Sequence, residues 1–229
     1  MMNARMELGR IAGIPIYLDM FFVLVVVLFS SQYFTKGDAT MMSAGLVIIA
    51  GLFLSILLHE LGHAFAALMF KTGVSEINLT GLGGVTQFDR SLPKSALART
   101  VIYLAGPAAN LGLWLGLTEL SQTAAMAAKG PLAFTLATLA SYNLILLIFN
   151  LLPAYPLDGG HTLDAWIGAI AGGIWATRIV GVLGLLVAAY IAYISLPLNL
   201  WMLLLAFLIG QTNWEALQSV GGFPGGRRR

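Results

Sequence analysis

No cysteine occurs anywhere in the chain, so disulfides and thiolate metal sites are both excluded, and the redox compartment leaves no trace. Charge is scarce too: only 10% of the 229 residues are Asp, Glu, Lys or Arg, where soluble domains carry roughly 25%. The formal net charge of +2 is too small to argue for nucleic acid. No long polar stretch is present to build a separate soluble domain. The N-terminal stretch "MMNARMELGRIAGIPIYLD" lacks an apolar core followed by a small-residue cleavage site, so it is not expected to be a cleaved signal. No internal repeat or low-complexity tract stands out. What fills the chain instead is apolar: 59% of its residues, with a mean hydropathy of +0.87. These values place it among integral membrane proteins.

A bilayer-spanning helix needs about 20 mainly apolar residues. Six such segments are expected, at about 20–34, 42–70, 100–120, 132–152, 174–195 and 198–217. Placing the N-terminus in the cytoplasm puts ten Lys and Arg residues inside (Arg5, Arg10, Lys71, Arg90, Lys94, Arg99, Arg178 and Arg227 to Arg229). Only Lys36 and Lys129 fall outside, the asymmetry the positive-inside rule demands. The expected fold is therefore an all-α, six-span polytopic membrane protein with both termini cytoplasmic. Two stretches on the cytoplasmic side, "MELGRIAGIPIYL" and "VSEINLTGLGGVTQF", are rich in β-formers and glycine and are expected to pair in a small sheet. The whole chain, 1–229, is read as one membrane-embedded domain, with a catalytic core at about 42–165 and peripheral helices at about 18–35 and 174–217. A flexible basic tail at 221–229 would meet anionic headgroups.

Against this apolar background, His59, Glu60 and His63 stand out in "LLHELGHAFAALMF". They spell H-E-x-x-H. Residues four apart share a helix face, so both histidines reach one ion, and Glu60 sits where it can take a proton from a water. Two of the chain's three histidines fall in this pattern. Ionisable groups inside a span are expensive and mark function by default. His59 lies 11 residues before Phe70, about 16 Å along a helix, so the site would lie below the membrane surface. Zinc, one per chain, suits imidazole and carboxylate ligands and hydrolysis without redox chemistry. Ser55 and Gly51 continue the His59 stripe as small packing residues.

A catalytic zinc takes three protein ligands as a rule. "FNLLPAYPLDGGHTLD", 149–164, offers the third. Pro153 and Pro156 cannot sustain a helix, and Gly159 and Gly160 permit a tight turn beside Asp158. Asp158 is the expected ligand; an N-capping role for it, or ligation by His161 or Asp164, is the alternative. H-E-L-G-H at 59–63 and N-L-L-P-A-Y-P-L-D-G-G at 150–160 resemble the site-2 protease family of intramembrane zinc metalloproteases. "GGV", Gly83–Val85, and "AGPAAN", Ala105–Asn110, are similar to further family patterns. The resemblance implies His59, His63 and Asp158 as zinc ligands and Glu60 as general base. It also implies a minimal member without PDZ or CBS domain, cleaving single-pass membrane proteins or remnant signal peptides within the bilayer, toward its cytoplasmic side.

Buried amides in a membrane need partners. Asn150, in the family-like motif, is expected at the substrate carbonyl, and Asn143 in interhelical packing. For Asn110 both roles stand open, and it joins the substrate-binding candidates with Gly83, Gly84 and Val85. The glycines would let a substrate backbone approach a strand edge. His161 is expected to orient ligands locally. Two other classes fit the composition: a divalent-metal transporter, which needs ligands strung along a path, and a catalytically silent membrane chaperone of the same fold. Neither explains the complete H-E-x-x-H with D-G.

Overall fold

The computed structural model describes residues 5–30, 33–35, 39–81, 83–89, 91–196 and 199–221. Arg90, Lys36 and the basic tail from 222 onward, all counted in the charge asymmetry, lie outside them. Among the described residues there are four strands and seven helices: β1 (Arg5–Ile11), β2 (Ile14–Asp19), α1 (Met20–Ser30), α2 (Ala39–Met69), β3 (Val74–Thr80), β4 (Gly83–Phe88), α3 (Ala96–Met126), α4 (Gly130–Asn150), α5 (Asp158–Ala171), α6 (Gly173–Ile194) and α7 (Leu200–Ser219). Five helices, α2, α3, α4, α6 and α7, are long and apolar enough to cross a membrane. Their most apolar stretches are only 22–33% buried against protein. The remaining apolar surface needs lipid, because a water-soluble protein rarely leaves so much of it open. The first expected span is helical over the eleven residues Met20–Ser30, too short by itself to span.

The chain forms two compact units, residues 1–92 with 105–147, and residues 93–104 with 148–229. The first holds a four-stranded sheet of order β1-β2-β3-β4. β1 and β2 form an antiparallel hairpin through a two-residue turn, Ala12–Gly13, both at positive φ, as such turns require. β2 runs parallel to β3, pairing Ile16 with Ile77, and β3 turns back antiparallel into β4. A register shift between Val74 and Glu76 explains how Val74, Ile77 and Leu79 all face inward despite the odd spacing of the first pair. Arg5, on β1, reaches across β2: its guanidinium lies 4.4 Å from the Tyr17 ring centroid and donates to Glu76 Oε1 at 2.9 Å. Asn78 Nδ2, also donating to Glu76, and then Arg5 hold that carboxyl below its ordinary range.

Local signals set the helix ends. Asp19 Oδ1 accepts from the Phe21 N–H at 2.7 Å and caps α1. α2 stops where Lys71 turns left-handed, with the Phe70 and Thr72 N–H groups closing on the Ala67 carbonyl.

In the second unit, α4 ends at Asn150, and the expected proline break follows it. A 14-residue helix, α5, starts at Asp158, where the glycine pair predicts only a turn. The break is held from the far end of the chain. Asn213, fully buried in α7, accepts from the Tyr155 N–H at 3.1 Å and donates to the Tyr155 carbonyl at 2.7 Å. This two-point clamp replaces the backbone pairing lost outside a helix. Below it, Ala154 and Leu157 pack with Ala188, Ile191, Ala206 and Ile209.

Candidate active site

The first unit brings His59, Glu60 and His63 together, all buried, in the middle of α2. One ligand atom from each can be chosen so that all three lie within 4.8 Å of one another. The two Nε2 atoms face each other at 3.1 Å. Two nitrogens of a tetrahedral zinc site are separated by roughly 3.3 Å, given a zinc–nitrogen bond of about 2.05 Å. Both rings thus present the right atoms at the right spacing for one ion.

The space for that ion depends on Gly106. α3 passes directly over the pair, and a Cβ on Gly106 would lie 2.7 Å from His59 Nε2 and closer still to His63 Nε2. Gly62 meets the Ala105 carbonyl in the same way from α2. The two helices cross where both backbones are bare, and the histidine nitrogens occupy the gap. The donor set and the space beside it fit zinc.

β4 covers Glu60. Thr86 Oγ1 lies 2.7 Å from Glu60 Oε2 and 3.1 Å from the Glu60 backbone oxygen. The hydroxyl has one proton, and the nearer, side-chain oxygen takes it. Gly84 lies against the same side chain: a Cβ there would stand within 2.5 Å of Glu60 Cδ. Gly83 precedes it at a φ of +124°, a conformation that favours glycine. The G-G pair therefore lets β4 turn and come down onto the glutamate. Val85, the next residue, is half exposed. Thr86 is absent from the residues the motifs single out; its only signal in the sequence is a hydroxyl two residues beyond the glycine pair. Thr86→Val, which keeps the shape and removes the donor, is expected to lower the rate of cleavage about 10-fold, at unchanged zinc content, by freeing Glu60 to rotate. Turnover numbers and zinc content of the purified variant check this.

Asn110 is fully buried on α3, with its Oδ1 at 2.5 Å from His59 Nδ1 and its Nδ2 donating to Asn143 Oδ1 at 2.9 Å. Its amide is engaged on both sides within this unit. Ser55, expected only to pack, accepts from Asn143 Nδ2 at 2.9 Å.

Asp158 and Asn150 belong to the second unit. Asn150 is the last residue of α4. Asp158 is buried and opens α5, where a carboxylate suits the positive end of the helix dipole. It is not the cap: Leu157 holds that position, without a side-chain bond. Gly159 and Gly160 sit against the carbonyls of Leu151 and Ala154, too close for any Cβ. Of the alternatives to Asp158, Asp164 is taken up by Arg99 at 3.2 Å and by the Tyr155 hydroxyl at 2.7 Å. His161 is stacked on Tyr103, with ring centroids 4.8 Å apart, and edge-on to Tyr155.

Known proteins resemble the chain in sequence and in fold. The sequence pattern of Peptidase family M50 matches residues 47–123 and 114–194, which includes both motifs. A zinc metalloprotease of Methanocaldococcus jannaschii is 35% identical over 184 residues, covering 80% of this chain and 51% of that protein. The chain thus spans about half the length of this relative. A solved structure, a site-2 protease from Methanocaldococcus jannaschii, superposes with a TM-score of 0.67 at 27% identity over 93% of this chain and 95% of that one. From the H-E-x-x-H on α2, the D-G-G opening α5 and these likenesses together, the chain belongs to peptidase family M50, the site-2 protease family of zinc metalloproteases.

Proposed function

We propose that the protein is an intramembrane zinc endopeptidase that cleaves membrane-anchored proteins within or beside their transmembrane segments. The observation that carries this reading is the juxtaposition of the two Nε2 atoms at 3.1 Å with a buried, hydroxyl-bonded Glu60 in a helix apolar enough to span the membrane. A structural ion pair or a packing histidine needs none of these features together.

His59 and His63 would hold zinc through Nε2, with Asp158 as the third ligand. Support for Asp158 comes from its burial, from the glycine pair that shapes its turn, and from Asp164 being occupied by Arg99 and Tyr155. Zinc, when bound, supplies a Lewis acid that activates water and polarises the scissile carbonyl. Glu60 accepts the proton of the attacking water and passes it to the leaving amine. Its Oε1, beside Gly84, is the oxygen that Thr86 leaves to this task. Asn150 hydrogen-bonds the substrate carbonyl.

β4 is an edge of the sheet, and in this reading an unwound substrate segment adds to its outer side by β-addition at Gly84 and Val85. A helical segment shields its carbonyls, and pairing along this edge exposes one to the attacking water. Proline at the outward-facing N–H positions of residues 84–88, leaving out Gly84 and Thr86 because both touch Glu60, is expected to impair cleavage at full zinc content. Unchanged turnover across that series rules out the edge as the substrate track.

The whole chain forms one six-span protease domain, with α1 belonging to the remaining span. Both termini are cytoplasmic, and the metal centre lies inside the bilayer toward that face, in line with the lysine and arginine distribution. The substrates are single-pass proteins or remnant signal peptides. Membrane proteomes of cells carrying the wild type and Glu60→Gln test the reading. A single-pass protein or membrane peptide accumulating only with the variant is the expected result; identical proteomes, with the wild type folded and loaded with zinc, overturn it.

A further inference from the structure

From His59 runs a line of buried polar groups that the hydrolytic mechanism does not use. It comprises Asn110 on α3, Asn143 on α4 and Ser55 on α2, each no more than 4% exposed. Hydrogen bonds join them end to end, and the far ends are backbone carbonyls. A carbonyl can only accept. That fact sets the direction of every bond in the line.

Leu139 O lies 2.9 Å from one atom of the Asn143 amide, so that atom is the NH2 group, and it donates to Ser55 Oγ as well. The Ser55 hydroxyl in turn donates to Gly51 O at 2.8 Å. The Asn143 amide therefore turns its oxygen toward Asn110, which donates to it at 2.9 Å. Asn110 has then spent its NH2 group on Asn143 and turns its own oxygen to His59 Nδ1 at 2.5 Å. An amide oxygen also only accepts, so the proton at this contact belongs to His59 Nδ1. A histidine that ligates a metal is neutral and carries one proton, so Nε2 is then left with its lone pair. Nε2 is the atom that faces His63 across the gap under Gly106.

We infer that Asn110, held by Asn143 and Ser55, is a positioning residue that fixes His59 as its Nδ1–H tautomer and aims the bare Nε2 at the metal. The inference rests on the zinc-protease reading of the site, and it differs from an oxyanion role for Asn110, since the amide oxygen faces a ligand's ring and the amide nitrogen faces Asn143. Buried networks of this kind are costly if left half-satisfied. Within an apolar span the lipid offers nothing to complete them.

The test reads tautomer and affinity rather than turnover. The chain has three histidines, so nitrogen-15 spectra of the purified, zinc-stripped protein resolve each ring. The expected result is a protonated Nδ1 and an unprotonated Nε2 on His59. Zinc affinity, by competition with a chromophoric chelator, is expected to fall about 10- to 100-fold in Asn110→Leu, and less in Asn143→Leu, where one link of the line is lost. Asn110→Asp keeps an acceptor for the Nδ1 proton but sets a second oxygen against Asn143 Oδ1, and it is expected to bind zinc more tightly than Asn110→Leu. This variant separates positioning from folding, because it removes the donation to Asn143 as the leucine does. A His59 protonated at Nε2 in the stripped wild type, or wild-type affinity in a folded Asn110→Leu, overturns the inference and leaves the protease reading standing. A folded wild type that binds no zinc overturns both.

Discussion

Glu60→Gln abolishes cleavage and leaves zinc in place: that is the expected behaviour of the purified variant, with turnover lowered by about 10²- to 10⁴-fold. In barrier height this is roughly 3–5 kcal/mol. Glutamine has nearly the same shape, and its amide oxygen still accepts from Thr86 Oγ1, so the contact with β4 survives. His59 and His63 are untouched, and so is the Asn110 contact that orients the first of them. What disappears is a carboxylate able to receive a proton next to the two imidazoles. The measurement is a turnover number against a membrane-anchored substrate, paired with zinc content per chain. Turnover within a few-fold of wild type makes Glu60 a structural residue and sinks the assignment of the base. Loss of zinc in the same variant makes Glu60 a ligand, which its position among the three clustered groups also permits.

Gly106→Ala is expected to be as damaging by a different route. A single methyl group must enter the gap where the two Nε2 atoms meet, 2.7 Å from that of His59 and nearer to that of His63. The His59 ring cannot swing aside cheaply. His59 is tied to Asn110 at 2.5 Å, and α2 is itself pressed against the α3 backbone at Gly62. The methyl group and the ion compete for one space, so zinc affinity should fall by about two orders of magnitude or more, and activity with it. Gly112, further along α3, serves as the control, since a methyl group there would meet nothing within 4 Å. Gly112→Ala should keep zinc and turnover, and replacing a helical glycine should slightly raise stability. Zinc titration of both proteins, with helix content by circular dichroism, decides the matter. Normal zinc binding in Gly106→Ala shows that the metal does not sit beneath that residue.

The two substitutions divide the site into what is readable from local pattern and what is not. His59, Glu60 and His63 are legible because a helix repeats every 3.6 residues, so spacing alone places two imidazoles on one face. The proline break before Asp158 is legible from proline's missing N–H. The sheet is legible from its β-formers and glycines. The α5 helix is not, because Gly159 and Gly160 argue for a turn; in the fold they open a helix instead, packed so closely on the carbonyls of Leu151 and Ala154 that no Cβ fits. Thr86 carries no motif, and Ser55 and Asn143 look like packing residues. Their partners are Glu60, Gly51 with Asn143, and Asn110 with Ser55.

From its sequence alone the chain is a membrane protein with a zinc-hydrolase motif in one span and an aspartate on a broken helix in a later one, because composition and local periodicity act over a few residues at a time. Which nitrogen His59 offers, what orients Glu60 and why Gly106 must be glycine were decided only by the tertiary structure. Those answers depend on α2, α3, α4 and β4 meeting at one point, and on hydrogen bonds whose direction is imposed by backbone carbonyls at Gly51 and Leu139. No local pattern records which buried amide, 33 to 88 residues away, will complete such a line.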